Sequence, residues 1–255
     1  MTAPGASEDR LNAIGKLVAV VETLATESKV SRIARATGLA TSTVHRILQS
    51  LVQVGWAHED DEHGYMLGAA LLALAAQADD ATLLVRKAMP VLRELRDVTG
   101  ETVHLAARRD DEMVYLAKLD GGKPYQMRSD VGLTVPLHCT AVGKAVLAAS
   151  PVAEVRAVLA RTGLPARTGH TITSVDALLE NLAAVREHGY AVDDEENEAT
   201  IRCVGAAVLG GRGVPLAGVS VSSHAFDLNG PRVARCAQLV TGAARQISKS
   251  LGHAP

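Results

Sequence analysis

A chain of 255 residues is long for a single domain, so one large domain or two modest ones are open, and either can bury a core. With 47% hydrophobic and 21% charged residues the chain reads as globular, which excludes disordered, collagen-like and disulfide-framework classes. Aromatic residues make up only 2%, too few for the stacking platforms of single-strand binders, so a nucleic-acid role has to be groove reading of a duplex.

The net charge of -2 hides a local excess. Between residues 10 and 56, Arg10, Lys16, Lys29, Arg32, Arg35 and Arg46 are opposed only by Glu22 and Glu27, a window of +4 that suits a polyanion. Within it, Leu11, Ile14, Leu17, Val18, Val21 and Leu24 recur at helical spacing and predict an amphipathic helix over residues 11 to 26. Ser31 offers an N-cap for a short second helix that Gly38 closes, and Thr41 caps a third. On the third, Val44, Ile47, Leu48, Leu51 and Val52 form one apolar stripe, leaving Ser42, Thr43, His45, Arg46 and Gln49 outside. WAHEDDEHGYML then reads as two short strands about a polar turn with Gly64, so the whole is a winged helix-turn-helix.

Residues 69 to 78 are expected to form a connector helix, with a break at Asp79-Asp80 and a further helix from about Ala81 to Val98 that Pro90 kinks or interrupts. Beyond it the period changes to that of strands. ETVHLAARR and EMVYLAKL flank Asp110-Asp111 as one hairpin, and RCVGAAVL and LAGVSVSS flank GGRGVP as another. Helical stretches fall near residues 140 to 149, 151 to 160, 174 to 188 and 229 to 251. Strand pairs interleaved with helices indicate an α+β domain with an antiparallel sheet. The expected division is a DNA-binding domain over 1–68, a linker helix over 69–80 and a C-terminal domain over 81–255.

VSRIARATGLATSTVHRILQ has the spacing a helix-turn-helix requires: small Ala34 at the helix crossing, Gly38 in the turn, and Val44 packing back under Ala34, with Ile33, Leu39 and Ile47 filling the remainder. The second helix of such a motif enters the major groove with its first residues toward the bases. Thr41, Ser42 and Thr43 are placed for phosphates or bases, Arg46 for a bidentate guanine contact and His45 for a weaker one, while Lys29, Arg32 and Arg35 grip backbone. The helix at 11 to 26, ATSTVHRILQSLVQVGW and the hairpin ending GYMLG resemble the N-terminal domain of IclR-family bacterial transcription regulators. The wing tip departs from the basic tip common there. Asp60-Asp61-Glu62-His63 repels phosphate, which puts the weight of DNA reading on the recognition helix.

GETVHLA, VGLTVPLHCTAVGKAVLA, HTIT, REHGYAVDDEENEATIRCVGAAV and LAGVSVSS are similar, in order and spacing, to the IclR effector-binding domain. The resemblance implies a GAF-like fold and puts Gly132, Cys139, Asp193, Cys203, Ser220 and Ser222 at a site for a small organic acid. The residues themselves fit such a ligand. The helix start after His138, Cys139 and Thr140 suits a carboxylate, and Ser220 and Ser222 present two hydroxyls on one strand face. Scarce aromatics favour a small aliphatic or sugar-derived acid. The acidic run Asp193 to Glu198 is otherwise a solvated loop, and Met113, Met127 and Phe226 are packing residues.

No nucleophile motif, metal spacing or phosphate loop stands out, so an enzyme is not expected, no cofactor is called for, and no metal site is assigned. Cys139, Cys203 and Cys236 form no framework, Met1 to Arg10 is polar, and no apolar run spans a bilayer, so the expectation is a cytoplasmic protein without a membrane partner. The expected function is a ligand-responsive regulator, read as a repressor, in which double-stranded DNA operator and small-molecule effector bind a homodimer or a dimer of dimers. A C-terminal domain that only oligomerises is the alternative.

Overall fold

The computed structural model describes residues 12–76, 80–124 and 127–253, so Arg10, Leu11 and the expected break at Asp79 lie outside the described residues. The chain falls into two compact units, Met1–Asp79 and Asp80–Pro255. The first holds α1 (Ala13–Leu24), α2 (Val30–Thr37), α3 (Thr41–Gln53), the hairpin β1 (Ala57–Asp60) and β2 (Gly64–Leu67), and α4 (Ala69–Ala76). Val20, Leu24, Ile33, Ala34, Val44, Leu48, Leu51, Ala57 and Tyr65 make its core, with Leu39 and Ile47 half-buried against it. The stripe read on the first helix does not hold throughout: Val20 and Leu24 are buried, but Ile14 is 72% exposed and Val18 faces out beside it.

Both expected N-caps are corrected. The Ser28 carbonyl accepts the Tyr65 amide at 2.9 Å, which fixes the extended chain up to Lys29, so α2 starts at Val30 with Ser31 already inside its first turn. At α3 it is Ala40 that keeps extended dihedrals and accepts the Val44 amide at 3.1 Å, leaving Thr41 as the first helical residue. Gly38 does close α2, in the left-handed region at φ 69°. A Cβ there meets no heavy atom within 4 Å, so Gly38→Ala tests strain alone and is expected to cost about 1–2 kcal/mol, read as a lower denaturant midpoint with unchanged slope.

The second unit opens with α5 (Asp80–Thr99), which runs through Pro90 without interruption. Then come β3 (Thr102–Arg109), β4 (Glu112–Leu119), β5 (Thr134–Pro136), α6 (Ala141–Ala149), α7 (Val152–Thr162), α8 (Val175–His188), β6 (Ala191–Asp194), β7 (Ile201–Leu209), β8 (Pro215–His224) and α9 (Gly230–Ser250). The strands form one antiparallel sheet in the order β5-β4-β3-β8-β7-β6. Both hairpins read from the sequence are there, and the two short strands at the sheet edges, β5 and β6, were not anticipated.

Register divides the sheet into two unlike faces. The row Val192, Val204, Val221, Val103 and the row Ala206, Val219, Leu105, Ala117 are wholly apolar, and they pack under α5 and α9. On the other face, Asp193, Cys203, Ser222 and Thr102 stand in one row and Gly205, Ser220, His104 and Lys118 in another. Here α6 lies directly on glycine. A Cβ on Gly205 falls 2.9 Å from the Ala141 carbonyl carbon, and one on Gly218 falls 2.8 Å from Val142 Cβ. These two glycines seat the start of α6 on the sheet while the polar rows beside it remain uncovered by helix. Phe226, expected to pack, is 75% exposed and stacks on His224 with ring centroids 5.4 Å apart.

Candidate functional site

Two surfaces emerge, one in each unit. On the first, Thr41, Ser42, His45 and Arg46 are exposed on α3 and Thr43 is half-buried. Arg35 is exposed on α2, and Arg32 is exposed with a guanidinium nitrogen 3.6 Å from the Glu27 carboxylate. Lys29 stands apart from the other expected contacts, since its Nζ donates to the Glu62 carbonyl at the wing tip at 3.3 Å. The tip itself is built by Asp60. Its Oδ1 accepts the Glu62 and His63 amides at 2.9 and 2.6 Å and lies 2.8 Å from His63 Nδ1, and these donors, His63's amide first, hold the carboxyl below its usual range. Asp61 and Glu62 remain exposed, so the wing presents negative charge.

Gln49, expected outside, is half-buried and ties α3 to the wing: its amide donates to Tyr65 OH at 2.8 Å and to Glu59 Oε2 at 3.1 Å. Helical spacing alone could not show this, because the partner is a cross-element contact to the buried Tyr65.

In the second unit a cavity of about 430 Å³ opens on the polar sheet face, bounded by the start of α6. Of the expected effector residues, Asp193, Cys203, Ser220 and Ser222 line it together. Cys139 is fully buried one position before the lining residue Thr140, with its thiol 3.9 Å from Asn197 Oδ1. Gly132 lies on an exposed loop at φ 92°, donating its amide to the Tyr115 carbonyl at 2.8 Å.

Sequence reasoning missed His104, Tyr115, Ser129, Arg128, Arg167 and Glu198, which also line the cavity. His104 follows from strand parity once β3 is known to pair His104 with Ser220. Tyr115 does not. A register shift at Leu105/Ala106 leaves Leu116 as an extra residue in β4 and sets Tyr115 opposite Ala106, so a bulge aims the phenol into the cavity. Its centroid lies 4.8 Å from the His104 ring, which corrects the picture of a site poor in rings.

The chemistry of the wall is that of a hydrogen-bonding cavity. Burial lowers the His104 pKa to about 4, so the ring is neutral near pH 7, with Nε2 2.8 Å from Ser129 Oγ and Nδ1 3.3 Å from Ser222 Oγ. Burial, with the Asp193 charge second, pushes the Cys139 thiol up to about 12 and Cys203 further still, so neither offers a thiolate nucleophile at neutral pH. The Asp193 side chain is only 3% exposed, and its Oδ1 accepts the Glu196 and Asn197 amides at 2.9 and 3.3 Å. Behind it Glu196, read as part of a solvated acidic loop, is buried and bonded to the fully buried Lys144 of α6. The backbone of this loop is pinned by Thr168 and Thr171, whose hydroxyls donate to the Glu195 and Glu196 carbonyls, each at 2.6 Å.

Among the described residues no helix is long and apolar enough to cross a membrane. Two family profiles match the chain: "IclR helix-turn-helix domain" over residues 13–61 and "Bacterial transcriptional regulator IclR C-terminal" over residues 76–249. The HTH-type transcriptional regulator KdgR of Escherichia coli is 34% identical over 248 residues, 96% of this chain and 94% of that protein. The crystal structure of Thermotoga maritima IclR superposes with a TM-score of 0.66 at 30% identity, covering 95% of this chain and 99% of the other. An IclR homolog from Microbacterium hydrocarbonoxydans, captured in complex with 4-hydroxybenzoate, does so with a TM-score of 0.61 at 26% identity over 94% of this chain and 99% of the other. With a winged helix-turn-helix in one unit and a polar cavity in the other, matched by both halves of one family, the chain belongs to the IclR family of bacterial DNA-binding transcriptional regulators.

Proposed function

We propose that the chain is a cytoplasmic repressor whose affinity for a two-fold-related operator is set by a small organic acid bound in the C-terminal cavity. The observation that carries the reading is the gathering of Asp193, Ser129, Ser220, Ser222, Arg128 and Arg167 around one cavity of about 430 Å³. The arginines supply cationic partners for a carboxylate, and the serines, with the neutral His104, suit ligand hydroxyls. The relative bound to 4-hydroxybenzoate supports a carboxylate ligand, and Tyr115 in the wall admits a small ring as well as an aliphatic or sugar-derived chain.

One recognition helix reads too few base pairs for genomic specificity, so the operator-bound form is an oligomer, a dimer or a dimer of dimers. The exposed Ile14 and Val18 on α1 support pairing of DNA-binding units through that helix. The acid acts by binding one arrangement of the C-terminal units better than another, with α4 and its connection passing the preference to the recognition helices.

Linkage makes the effect reciprocal: operator has to change acid affinity by the factor by which acid changes operator affinity. Calorimetric titration of a panel of hydroxylated, keto and aromatic acids, with and without operator duplex, is expected to show a shift of about 5–150-fold for the true effector. Equal affinities in both titrations would refute coupling. Failure of every acid to bind would instead favour a C-terminal unit that only oligomerises.

A further inference from the structure

Two buried carboxyls, Asp193 at the cavity wall and Glu196 behind it, share one buried cation. Among the described residues Lys144 is the one lysine or arginine buried in the core, and its ammonium is committed to Glu196. Asp193 is equally buried, at the cavity wall, and the groups facing it supply no second cation of that depth. From β7 comes the Cys203 thiol, from the turn before α6 the Cys139 thiol, from β4 the Tyr115 phenol, and from β3 the neutral His104. From the loop after β6 come the carboxyls of Glu196 and Glu198. Two arginines line the cavity from exposed positions, Arg128 in the segment after β4 and Arg167 in the segment before α8, and Arg167 donates to the Asn197 carbonyl at 3.4 Å. An anionic ligand entering this cavity adds a further negative charge beside Asp193.

Resting on the reading of the cavity as an organic-acid site, we propose that Asp193 enters the complex as the neutral acid and donates its proton to a carboxylate or keto oxygen of the ligand. Oδ1 is held as an acceptor by the amides of Glu196 and Asn197, which pull the carboxyl down by less than burial raises it, and the other oxygen is left to carry the proton. In that state Asp193 selects ligands that present acceptor oxygens at this depth and disfavours ammonium groups, which call for an ionised carboxylate. Complex formation takes up the proton from solvent wherever the free protein has released it: ligand anion, Asp193 carboxylate and one proton give the hydrogen-bonded pair. Burial raises the Asp193 carboxyl to about 7 in the free chain, so this linkage operates in the physiological range.

Two measurements on the full chain test the assignment. Infrared difference spectra of the ligand-free protein between about pH 5 and about pH 9 are expected to show a protonated-carboxyl band that Asp193→Asn removes. If the wild-type band is absent at the acid end, or persists in Asp193→Asn, the proton is elsewhere and the proposal falls. The second uses gluconate as the probe. Its dissociation constant is expected to rise about tenfold per pH unit above the carboxyl's titration, with close to one proton taken up, and to become pH-independent in Asp193→Asn. Binding of gluconate by wild type with no pH dependence overturns the proposal. Failure of gluconate to bind at any pH excludes gluconate alone as a ligand, and the infrared result then sustains or overturns the protonation of Asp193.

Discussion

Lys144→Ala is expected to destabilise the C-terminal unit by about 3–5 kcal/mol, the loss typical when one member of a buried ion pair is removed and the other stays in place. Lys144 is fully buried on α6 with its ammonium bonded to Glu196, and the second carboxylate oxygen of Glu196 has no partner among the described residues. Without the lysine, two buried carboxyls face each other across the loop with no cation between them. The variant escapes by keeping both protonated, which sets its pH dependence. A carboxyl raised above its unfolded value contributes stability that is complete below the unfolded value of about 4 and is lost as pH rises through the folded one. Asp193, raised to about 7, already gives the wild type such a slope between those limits, and Lys144→Ala steepens it because the Glu196 carboxyl, already raised by burial against the pull of the lysine, then rises further. Denaturant midpoints at about pH 5 and about pH 8 check both statements, and a variant as stable as wild type at the higher pH would contradict them. Lys144→Met with Glu196→Gln removes both charges while keeping shape, and is expected to recover most of the loss.

How legible this site was in the sequence depended on the range of the interaction. The helix-turn-helix is local: Ala34, Gly38 and Val44 fall within a few turns of chain, so spacing alone placed them, and the structure puts Ala34 and Val44 in one core with Gly38 closing α2 between them. The strand hairpins were legible for the same reason. What failed was set by contacts across the fold. The Ser28 carbonyl, not a hydroxyl at Ser31, decides where α2 begins, because it is already paired with Tyr65 of β2. Ile14 and Val18 carry a helical stripe that the single chain leaves uncovered. Glu196 looked solvated because its neighbours in sequence are acidic, whereas its partner lies 52 positions away on α6. Tyr115 reaches the cavity only through a bulge, which shifts strand parity by one residue and cannot be read without the partner strand. Parity did place Ser220 and Ser222 on one face, and the register then carried His104 and Cys203 to the same face.

Arg46→Ala is expected to lose about 1–3 kcal/mol of discrimination at one base pair of the operator half-site, while binding to unrelated duplex changes little. Arg46 is exposed on α3, one turn beyond the helix start that faces DNA in such motifs, and its planar guanidinium matches the paired acceptors of guanine. Position alone does not separate this contact from a phosphate contact; the pattern of loss does. A base contact fails on the preferred sequence only, and leaves the salt dependence of binding nearly unchanged. A phosphate contact fails alike on every sequence and lowers the salt slope by about one unit. The wing sharpens the comparison. Lys29 is bonded to the wing carbonyl and the tip beyond it carries exposed Asp61 and Glu62, so this surface offers few cations to phosphate and the wild-type slope is expected to be shallow. Against a shallow slope, the loss of even one phosphate contact is a large fractional change. Titrations of wild type and Arg46→Ala at several salt concentrations, on duplex selected by the wild-type protein and on a scrambled duplex, therefore decide the role of this residue: a uniform loss with a reduced slope makes Arg46 a backbone contact and moves sequence reading to Ser42 and His45.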